Sequence, residues 1–237
     1  IDPPFDVGND FSMDIEIGND TLTKERNILE EVAFRDTWGK GTDSFIAMIY
    51  ERLSLMRDLL SEDGNIYVHC DWRLNYFIRM ILNEIFGDTY KGEIIWKKDA
   101  VGKGAKKQAR HWPKTFDNII VFGKNENSFF SSIPGELTDK QLNEFHYQDP
   151  NGRRFKRTTL GDYSDKSIQQ MEKDGLIYVS KTGQKYKKYY LDEYTIPMDS
   201  IWVDVPGFGV ATSSPELLNY PTQKPEALLE RIIKASS

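Results

Sequence analysis

The clearest helix-to-strand pattern in this chain lies in residues 42–71, TDSFIAMIYERLSLMRDLLSEDGNIYVHCD. The first three of these residues offer side-chain oxygens that can cap a helix, and apolar residues then recur at intervals of three and four. This spacing predicts an amphipathic helix over residues 44–61. Asp63-Gly64 is a turn signal, and the β-rich run 65–70 that follows it predicts a strand with Asp71 at its carboxyl end.

The same alternation continues along the chain. Residues 74–85 repeat the helical spacing and are followed by Gly87, a common helix terminator. Residues 92–97 and 118–122 combine isoleucine with aromatic residues and predict two further strands, and strand-like composition returns at 201–206. Pro225 is placed to open a last helix. Helices and strands that alternate through short turns predict an α/β sheet.

Residues 125–200 differ in composition from the segments on either side of them. They are polar and basic, and they carry repeated turn signals such as Pro134-Gly135 and Asp174-Gly175. Short runs within them could be strands, but no long helix alternates with them. We therefore expect an insertion with a small fold of its own.

The composition excludes several classes of protein. The 237 residues are 39% hydrophobic and 29% charged, which supports a folded core and excludes a disordered or fibrous chain. No apolar run reaches the ~18 residues of a spanning helix, and the first residues do not resemble a signal peptide. The single cysteine, Cys70, excludes a disulfide scaffold and fits a cytoplasmic protein. The three histidines are scattered, so we expect no metal site.

The net charge of −6 argues against a nucleic-acid partner, but the distribution of charge does not. Residues 2–36 carry ten acidic and three basic side chains, whereas residues 97–114 carry seven basic side chains and one acidic. Residues 153–192 carry ten basic and five acidic side chains with tyrosines between them. Such asymmetry is compatible with DNA or RNA binding. The alternative is that these runs are ordinary solvated faces.

The tetrapeptide Asp2-Pro3-Pro4-Phe5 combines groups that suit a planar exocyclic amine. An acid at the end of a parallel strand projects into the crevice where α/β folds bind ligands. The prolines stiffen the turn, so that the carboxylate and a backbone carbonyl can accept two amine hydrogens while the aromatic side chain stacks on the ring that bears the amine. The alternative is that the tetrapeptide merely starts a loop.

A second candidate is the run Tyr220-Pro221-Thr222-Gln223-Lys224-Pro225 and the helix that follows it. Taken alone, this run could be a proline-rich turn that leads into a helix. Its occurrence in one chain with the DPPF tetrapeptide and the helix–strand unit at 42–71 favours a joint site.

These residues together resemble the DNA amino-methyltransferases of the permuted, beta-type order (the DNA methylase N-4/N-6 family), including modification subunits of type III restriction systems. In that family a catalytic Asp-Pro-Pro-Tyr/Phe comes first, and helical and strand motifs and a target-recognition insert follow. A Thr-x-Lys-Pro turn comes next and a glycine-rich cofactor loop last. The chain is similar to this order over most of residues 1–124 and 201–237, and the insert matches weakly.

The resemblance implies a fold and a domain plan. It implies an α/β, Rossmann-like, S-adenosylmethionine-dependent methyltransferase core with an inserted target-recognition region. Residues 1–124 would be the first part of the core, 125–200 the insert, and 201–237 the return to the core. The family also has a strand and a Phe-x-Gly-x-Gly-like loop after the last helix, which these residues lack. The resemblance thus implies an incomplete cofactor pocket, and we expect residues 1–237 alone to be inactive.

The resemblance also implies roles for particular residues. The catalytic residues would be Asp2, Pro3, Pro4 and Phe5; S-adenosylmethionine would contact Asp2, Thr222, Lys224 and Pro225; and DNA phosphates would contact Lys103, Lys106, Lys107 and Arg110. The implied reaction moves a methyl group from S-adenosylmethionine to an exocyclic amine of a flipped base in double-stranded DNA. Asp2, where related enzymes can have Ser, favours adenine N6.

Several alternatives remain open from the sequence. Cytosine N4 could be the target, the scaffold could act on RNA, or the chain could be a non-catalytic nucleic-acid-binding module. A restriction subunit or a second methyltransferase copy are candidate protein partners, and no membrane partner is expected. On the strand at 65–70, His69 and Cys70 are expected to be core residues and Asp71 to start the next helix; Trp96 and Trp202 are also expected in the core.

Overall fold

The computed structural model describes residues 1–3, 14–17, 20–23, 42–99, 110–208, 214–218 and 222–237. These residues form two compact units, one of 1–131 with 200–237 and the other of 132–199. The elements in chain order are β1 (Asp14–Ile17), β2 (Asp20–Thr23), α1 (Thr42–Leu59), β3 (Asn65–Cys70), α2 (Asn75–Phe86), β4 (Tyr90–Trp96), β5 (Asp117–Gly123), β6 (Pro134–Gly135), α3 (Asp139–Asn143), β7 (Tyr147–Gln148), β8 (Arg154–Thr159), α4 (Asp165–Lys173), β9 (Ile177–Val179), β10 (Lys185–Tyr190), β11 (Ile196–Pro197), β12 (Ile201–Trp202) and α5 (Glu226–Ser236).

The first unit is built on a four-stranded sheet in the order β12-β4-β5-β3. Strand β12 runs parallel to β4, while β5 is antiparallel to both β4 and β3. Ile1 extends the sheet beyond β3, because its nitrogen donates to the Tyr67 carbonyl and its carbonyl accepts from the His69 nitrogen at 3.0 Å. Strands β3, β4 and β12 therefore end at the same edge of the sheet, and β5 begins there. Strands β1 and β2 form a separate antiparallel pair.

Helices α1 and α2 bury their apolar sides with β3 and β5 in one core. In α1, Phe45, Ile49 and Leu53 are almost fully buried, whereas Leu55 and Leu59 are 64% and 85% exposed. This division follows the spacing of three and four residues that places side chains on one side of a helix. The core residues are Phe45, Ile49, Leu53, Ile66, Val68, Cys70, Leu74, Ile78, Ile81, Leu82, Phe86, Ile120 and Phe122.

Helix α5 contacts the first unit through the Arg231 side chain and the Ala235 carbonyl. Arg231 forms an ion pair with Asp204, and its guanidinium lies 4.9 Å from the ring centroid of Trp202 at the end of β12. The Ala235 carbonyl accepts from the Ser131 nitrogen at 2.8 Å. These contacts hold the second half of α5 against the first unit.

The second unit contains a four-stranded antiparallel sheet, β7-β8-β10-β9, and the short pair β6–β11. Helix α3 begins with a capping box in which Thr138 and Gln141 bond each other's backbone nitrogens. Helix α4 begins at Ser164, whose side chain accepts from the Ser167 nitrogen.

The observed elements differ from the sequence predictions mainly at their ends. The helix predicted over 44–61 spans Thr42–Leu59, and the strand predicted over 201–206 is limited to Ile201–Trp202. That strand ends early because the Val205 carbonyl turns to accept from the Trp96 indole at 2.7 Å. The second unit begins at Ser132, not at residue 125, because a turn at Asn125–Ser128 is tied to the first unit through the Asp63 carbonyl and the Phe129 nitrogen.

No helix in the described part of the chain is both long and apolar enough to span a membrane. The role of the second unit as a target-recognition insert stays a prediction. Pro4, Phe5, Lys103, Lys106 and Lys107 lie outside the described residues.

The two faces of α1 should respond differently to truncation. Leu53→Ala should lower the free energy of unfolding by about 2–5 kcal/mol, because it opens a cavity in the core. Leu55→Ala, on the exposed side of the same helix, should change it by less than about 0.5 kcal/mol. Chemical denaturation of both variants measures this difference. Equal losses would contradict the packing of α1 described above.

Candidate functional site

Strand register brings three polar side chains together on one face of the sheet, at the edge where β3 ends. Ile1 lies beside Val68, so that Asp2 follows next to His69. Across the other side of β3, His69 pairs with Ile119, and Asp117 lies two residues before Ile119 on the same face. Side chains diagonal to each other on one face are within reach of long or aromatic groups. Asp2, His69 and Asp117 are therefore neighbours.

The contacts among these groups form a chain of hydrogen bonds and ion pairs. Oδ1 of Asp2 lies 2.7 Å from Nδ1 of His69, and Nε2 of His69 lies 3.1 Å from Oδ2 of Asp117. The same Asp117 oxygen is 2.5 Å from Nζ of Lys98. At the other end, Nζ of Lys224 lies 2.5 Å from Oδ2 of Asp2. Three basic groups thus alternate with two acids.

Burial and hydrogen bonding have opposite effects on these ionisations. Burial opposes the charge on Asp2, but hydrogen bonds from His69 and Lys224 outweigh it and hold the pKa of this carboxyl below its usual value. Burial likewise opposes the charge on His69, and its bonds to Asp117 and Asp2 raise the pKa of the ring above 6.5. Asp117 is 2% exposed, and the bonds from His69 and Lys98 lower the pKa of its carboxyl despite that burial. The network favours ionised carboxylates around a protonated ring.

The Trp96 side chain packs beside the ring of His69, on the side of β4. Its ring centroid lies 5.7 Å from that of His69, and its indole nitrogen donates to the Val205 carbonyl. Gly207 then passes so close to Lys98 that a Cβ at this glycine would lie 3.0 Å from the Lys98 carbonyl oxygen. The Gly207 nitrogen donates to the Lys98 carbonyl at 3.0 Å, so the backbone at 207 lies directly against Lys98.

The turn at 222–225 carries Lys224 to Asp2. Nζ of Lys224 also donates to the Thr222 carbonyl at 2.9 Å, which holds the ammonium over its own turn. The side chain of Gln223 bonds the Glu216 carbonyl and the Leu218 nitrogen, at 2.6 and 2.9 Å. Pro225 then starts α5, as its position in the sequence predicts. The turn is thus held at both ends.

The structure brings together only some of the residues that the sequence singles out. Asp2 and Lys224 are in direct contact, and Thr222 contributes the carbonyl beside them. Pro3 is partly exposed next to Asp2, whereas Arg110 is exposed in the segment before β5 and has no described contact with Asp2. The roles of the predicted catalytic, cofactor and DNA residues remain predictions.

The groups that lie behind Asp2 are not predicted from the sequence. His69 is buried, as expected of a core residue, but its ring bonds two carboxylates. Asp117 and Lys98 were not singled out. The sequence does contain a histidine near the end of β3 and an aspartate at the start of β5. Their contact could be predicted only if the register between these two antiparallel strands were known.

The neighbours of His69 have structural roles. Cys70 is fully buried, and burial raises the pKa of its thiol far above the usual value, which leaves an unreactive thiol. Asp71 accepts from the backbone nitrogen of Arg73 at 2.9 Å, and its carbonyl accepts from Asn75, so that it starts α2 as expected. Among the described residues no group of three or more potential metal ligands occurs.

Comparison with known proteins identifies a family and several relatives of this chain. The family described as DNA methylase (N6_N4_Mtase) matches residues 1–237. The chain is 25% identical over 236 residues to the DNA adenine methyltransferase YhdJ of Escherichia coli K12, covering 100% of the chain and 59% of that protein. It is 24% identical over 265 residues to the type II methyltransferase M.EcaI of Enterobacter cloacae, covering 100% of the chain and 54% of that protein.

A third relative belongs to a restriction system of another type. The chain is 26% identical over 151 residues to the type III restriction-modification enzyme EcoP15I Mod subunit of Escherichia coli, covering 59% of the chain and 22% of that protein. In each of these three cases the chain spans less than two thirds of the relative. Because the family match extends over the full 237 residues, the chain belongs to the N6/N4 DNA methylase family.

Proposed function

We propose that this protein is a DNA methyltransferase that transfers a methyl group from S-adenosylmethionine to N6 of adenine. The observation that carries the proposal is the Asp2 carboxylate, which stands at the strand edge where α/β folds bind ligands and is ionised by its contacts with His69 and Lys224. Family membership and a relative named as a DNA adenine methyltransferase support the same reaction.

The reaction requires a base that has left the duplex, because the target amine is otherwise inside the helix. Oδ2 of Asp2 and the Pro3 carbonyl would accept the two amine hydrogens, which directs the nitrogen lone pair away from the ring. Phe5 would stack on the flipped base. The methylated nitrogen becomes acidic once it is cationic, so no residue needs to remove a proton first. Catalysis then rests on alignment and on the negative charge of Asp2.

The residues around Asp2 fit S-adenosylmethionine, which supplies an activated methyl group. This molecule carries both positive and negative groups, and the site offers an anion in Asp2 and a cation in Lys224. The turn at 222–225 would line the pocket, with Thr222 and Pro225 beside Lys224. Its position is fixed by the contacts of Gln223 and by the start of α5.

The first unit is, in this proposal, a Rossmann-like methyltransferase core that the second unit interrupts. Support comes from the direction of the strands: Ile1, β3, β4 and β12 run the same way, and only β5 is reversed among the described strands of this sheet. Helices α1 and α2 precede and follow β3, as in alternating α/β folds.

The second unit would contact DNA, and Arg157 is its best-placed residue. The guanidinium of Arg157 lies 4.8, 5.6 and 4.6 Å from the ring centroids of Tyr147, Tyr178 and Tyr186. No carboxylate within the described residues lies at ion-pair distance from it, whereas Arg153, just before β8, is paired with Asp192 and Glu193. A partly exposed guanidinium that lies beside three rings and has no acidic partner among the described residues suits a phosphate.

The relatives also bear on protein partners. The EcoP15I relative is named as the Mod subunit of a type III restriction-modification enzyme, and so is the HindVI relative, which is 26% identical over 182 residues. We therefore infer a restriction subunit as the protein partner to test first, by co-purification.

Asp2 provides the most direct test of the reaction. In the whole protein, Asp2→Ala should reduce methyl transfer on the order of a thousandfold, because it removes a charge-assisted bond that strengthens as the amine becomes cationic. Affinity for DNA should stay within a few-fold, since the lost interaction with the amine belongs mainly to the transition state.

Labelled methyl transfer to duplex DNA measures the rate, and calorimetry measures the affinities. Asp58→Ala, at an exposed acid on α1, is the matched control and should be unchanged. Near-normal turnover by Asp2→Ala would mean that the tetrapeptide at 2–5 is a structural turn, and the proposed reaction would lose its support.

Arg157 provides a separate test of DNA contact. Arg157→Ala should weaken binding to duplex DNA of mixed sequence and lower the slope of log affinity against log salt by about one, the change expected for one lost phosphate contact. Arg153→Ala should have a smaller effect, because two carboxylates already neutralise that residue. Fluorescence anisotropy over a potassium chloride series measures both. Equal effects of the two variants, or an unchanged slope for Arg157→Ala, would reject the contact.

A further inference from the structure

We propose that His69 is a positioning residue: Asp117 holds its ring as an imidazolium, and the ring fixes Oδ1 of Asp2 so that Oδ2 is presented to the target amine. This inference rests on the proposed function of Asp2. It assigns roles to His69, Asp117 and Lys98, which the DPPF tetrapeptide and the turn at 222–225 do not include.

The bonding of the ring supports the protonated form. A neutral imidazole carries one N–H donor and one acceptor nitrogen, so it can donate to only one of two carboxylates. Both ring nitrogens of His69 lie within bonding distance of carboxylate oxygens, 2.7 Å from Asp2 and 3.1 Å from Asp117. Each carboxylate also has a lysine, Lys224 on Asp2 and Lys98 on Asp117, which favours ionised acids. Two ionised acids require two ring donors.

The chain of contacts from Asp117 through His69 to Asp2 runs from a buried end to a partly exposed end. The side chain of Asp117 is 3% exposed and that of His69 is 9% exposed, whereas that of Asp2 is 36% exposed. Oδ1 of Asp2 therefore belongs to the buried end of the network. Oδ2 is bonded only to Lys224 among the described residues, and a carboxylate oxygen has a further lone pair for an amine hydrogen. The ring thereby fixes which oxygen reacts.

The surroundings of the ring make its charge dependent on several groups. Asp2 faces it from the segment at 1–3, Asp117 from β5 and the Trp96 ring from β4. Lys98 contacts the same Asp117 oxygen as the ring, whereas Lys224 contacts the Asp2 oxygen that the ring does not. A ring stabilised as a cation loses that stabilisation as pH rises through its raised pKa, and the loss starts above 6.5, its usual value.

The first arm of the test measures the ring itself in the whole protein. ¹⁵N spectra of histidine-labelled protein should show both ring nitrogens of His69 protonated at pH 7, and Asp117→Asn should lower the pH at which the ring loses its proton. This readout does not depend on catalysis. A single neutral tautomer at pH 7 that Asp117→Asn leaves unchanged would overturn the inference, even if every substitution at His69 fails to fold.

The second arm measures the consequence for the reaction. His69→Gln keeps a polar side chain but cannot donate to both acids, and it should lower kcat about 10- to 100-fold, the loss typical when a hydrogen-bonded support is removed. KM for DNA should not change, and the alkaline limb of the rate profile set by the ring should disappear. Cys70→Ala, at the next buried position of β3, is the control and should keep both constants.

The two proposals fail in different ways. If Asp2→Ala is inactive and His69→Gln has a normal kcat, the inference about His69 is wrong and the proposed reaction stands. If Asp2→Ala retains normal turnover, the proposed function is wrong whatever the state of the ring. If KM rises with His69→Gln while kcat holds, the residue acts in binding, and the positioning role is rejected.

Discussion

The bond between Nδ1 of His69 and Oδ1 of Asp2 joins the segment at residues 1–3 to the body of the sheet, and the other polar contacts of the site depend on it. It sets the direction of the Asp2 carboxylate. The same ring also contacts the buried Asp117, which pairs with Lys98. Removal of one partner from such a buried chain leaves an uncompensated charge, at a cost of about 3–5 kcal/mol.

The fold supplies the constraints that hold this chain in place. Register across β3 and β5 places His69 and Asp117 on one face, and the parallel pairing of Ile1 with β3 places Asp2 beside them. The fourth member, Lys224, arrives from a distant part of the sequence, and the ion pair between Arg231 and Asp204 fixes the helix behind it. Residues separated by more than two hundred positions thus meet at one carboxylate.

The sequence predicted most of the fold because local patterns determine it. Spacing in 42–71 and 74–85 located both helices and β3 to within a few residues, and the tetrapeptide at 2–5 with the turn at 222–225 indicated the family, which the family match confirmed. The features that the sequence did not predict depend on strand register and on contacts between distant residues. His69 is buried, as expected of a core residue, but its contacts with two carboxylates depend on the register of neighbouring segments. The strand at 201–206 ended early because the Trp96 indole donates to the Val205 carbonyl.

The central claim is that Asp2 stands where an exocyclic amine of DNA receives a methyl group. The most direct measurement is nucleoside mass spectrometry of unmethylated genomic DNA after incubation with the whole protein and a methyl donor that carries a deuterated methyl group. The account predicts the deuterated methyl on N6 of adenine, because the acceptor groups at Asp2 and Pro3 suit an amine and the relatives include an adenine methyltransferase. Deuterated methyl on C5 of cytosine, or DNA that stays unlabelled, would contradict it.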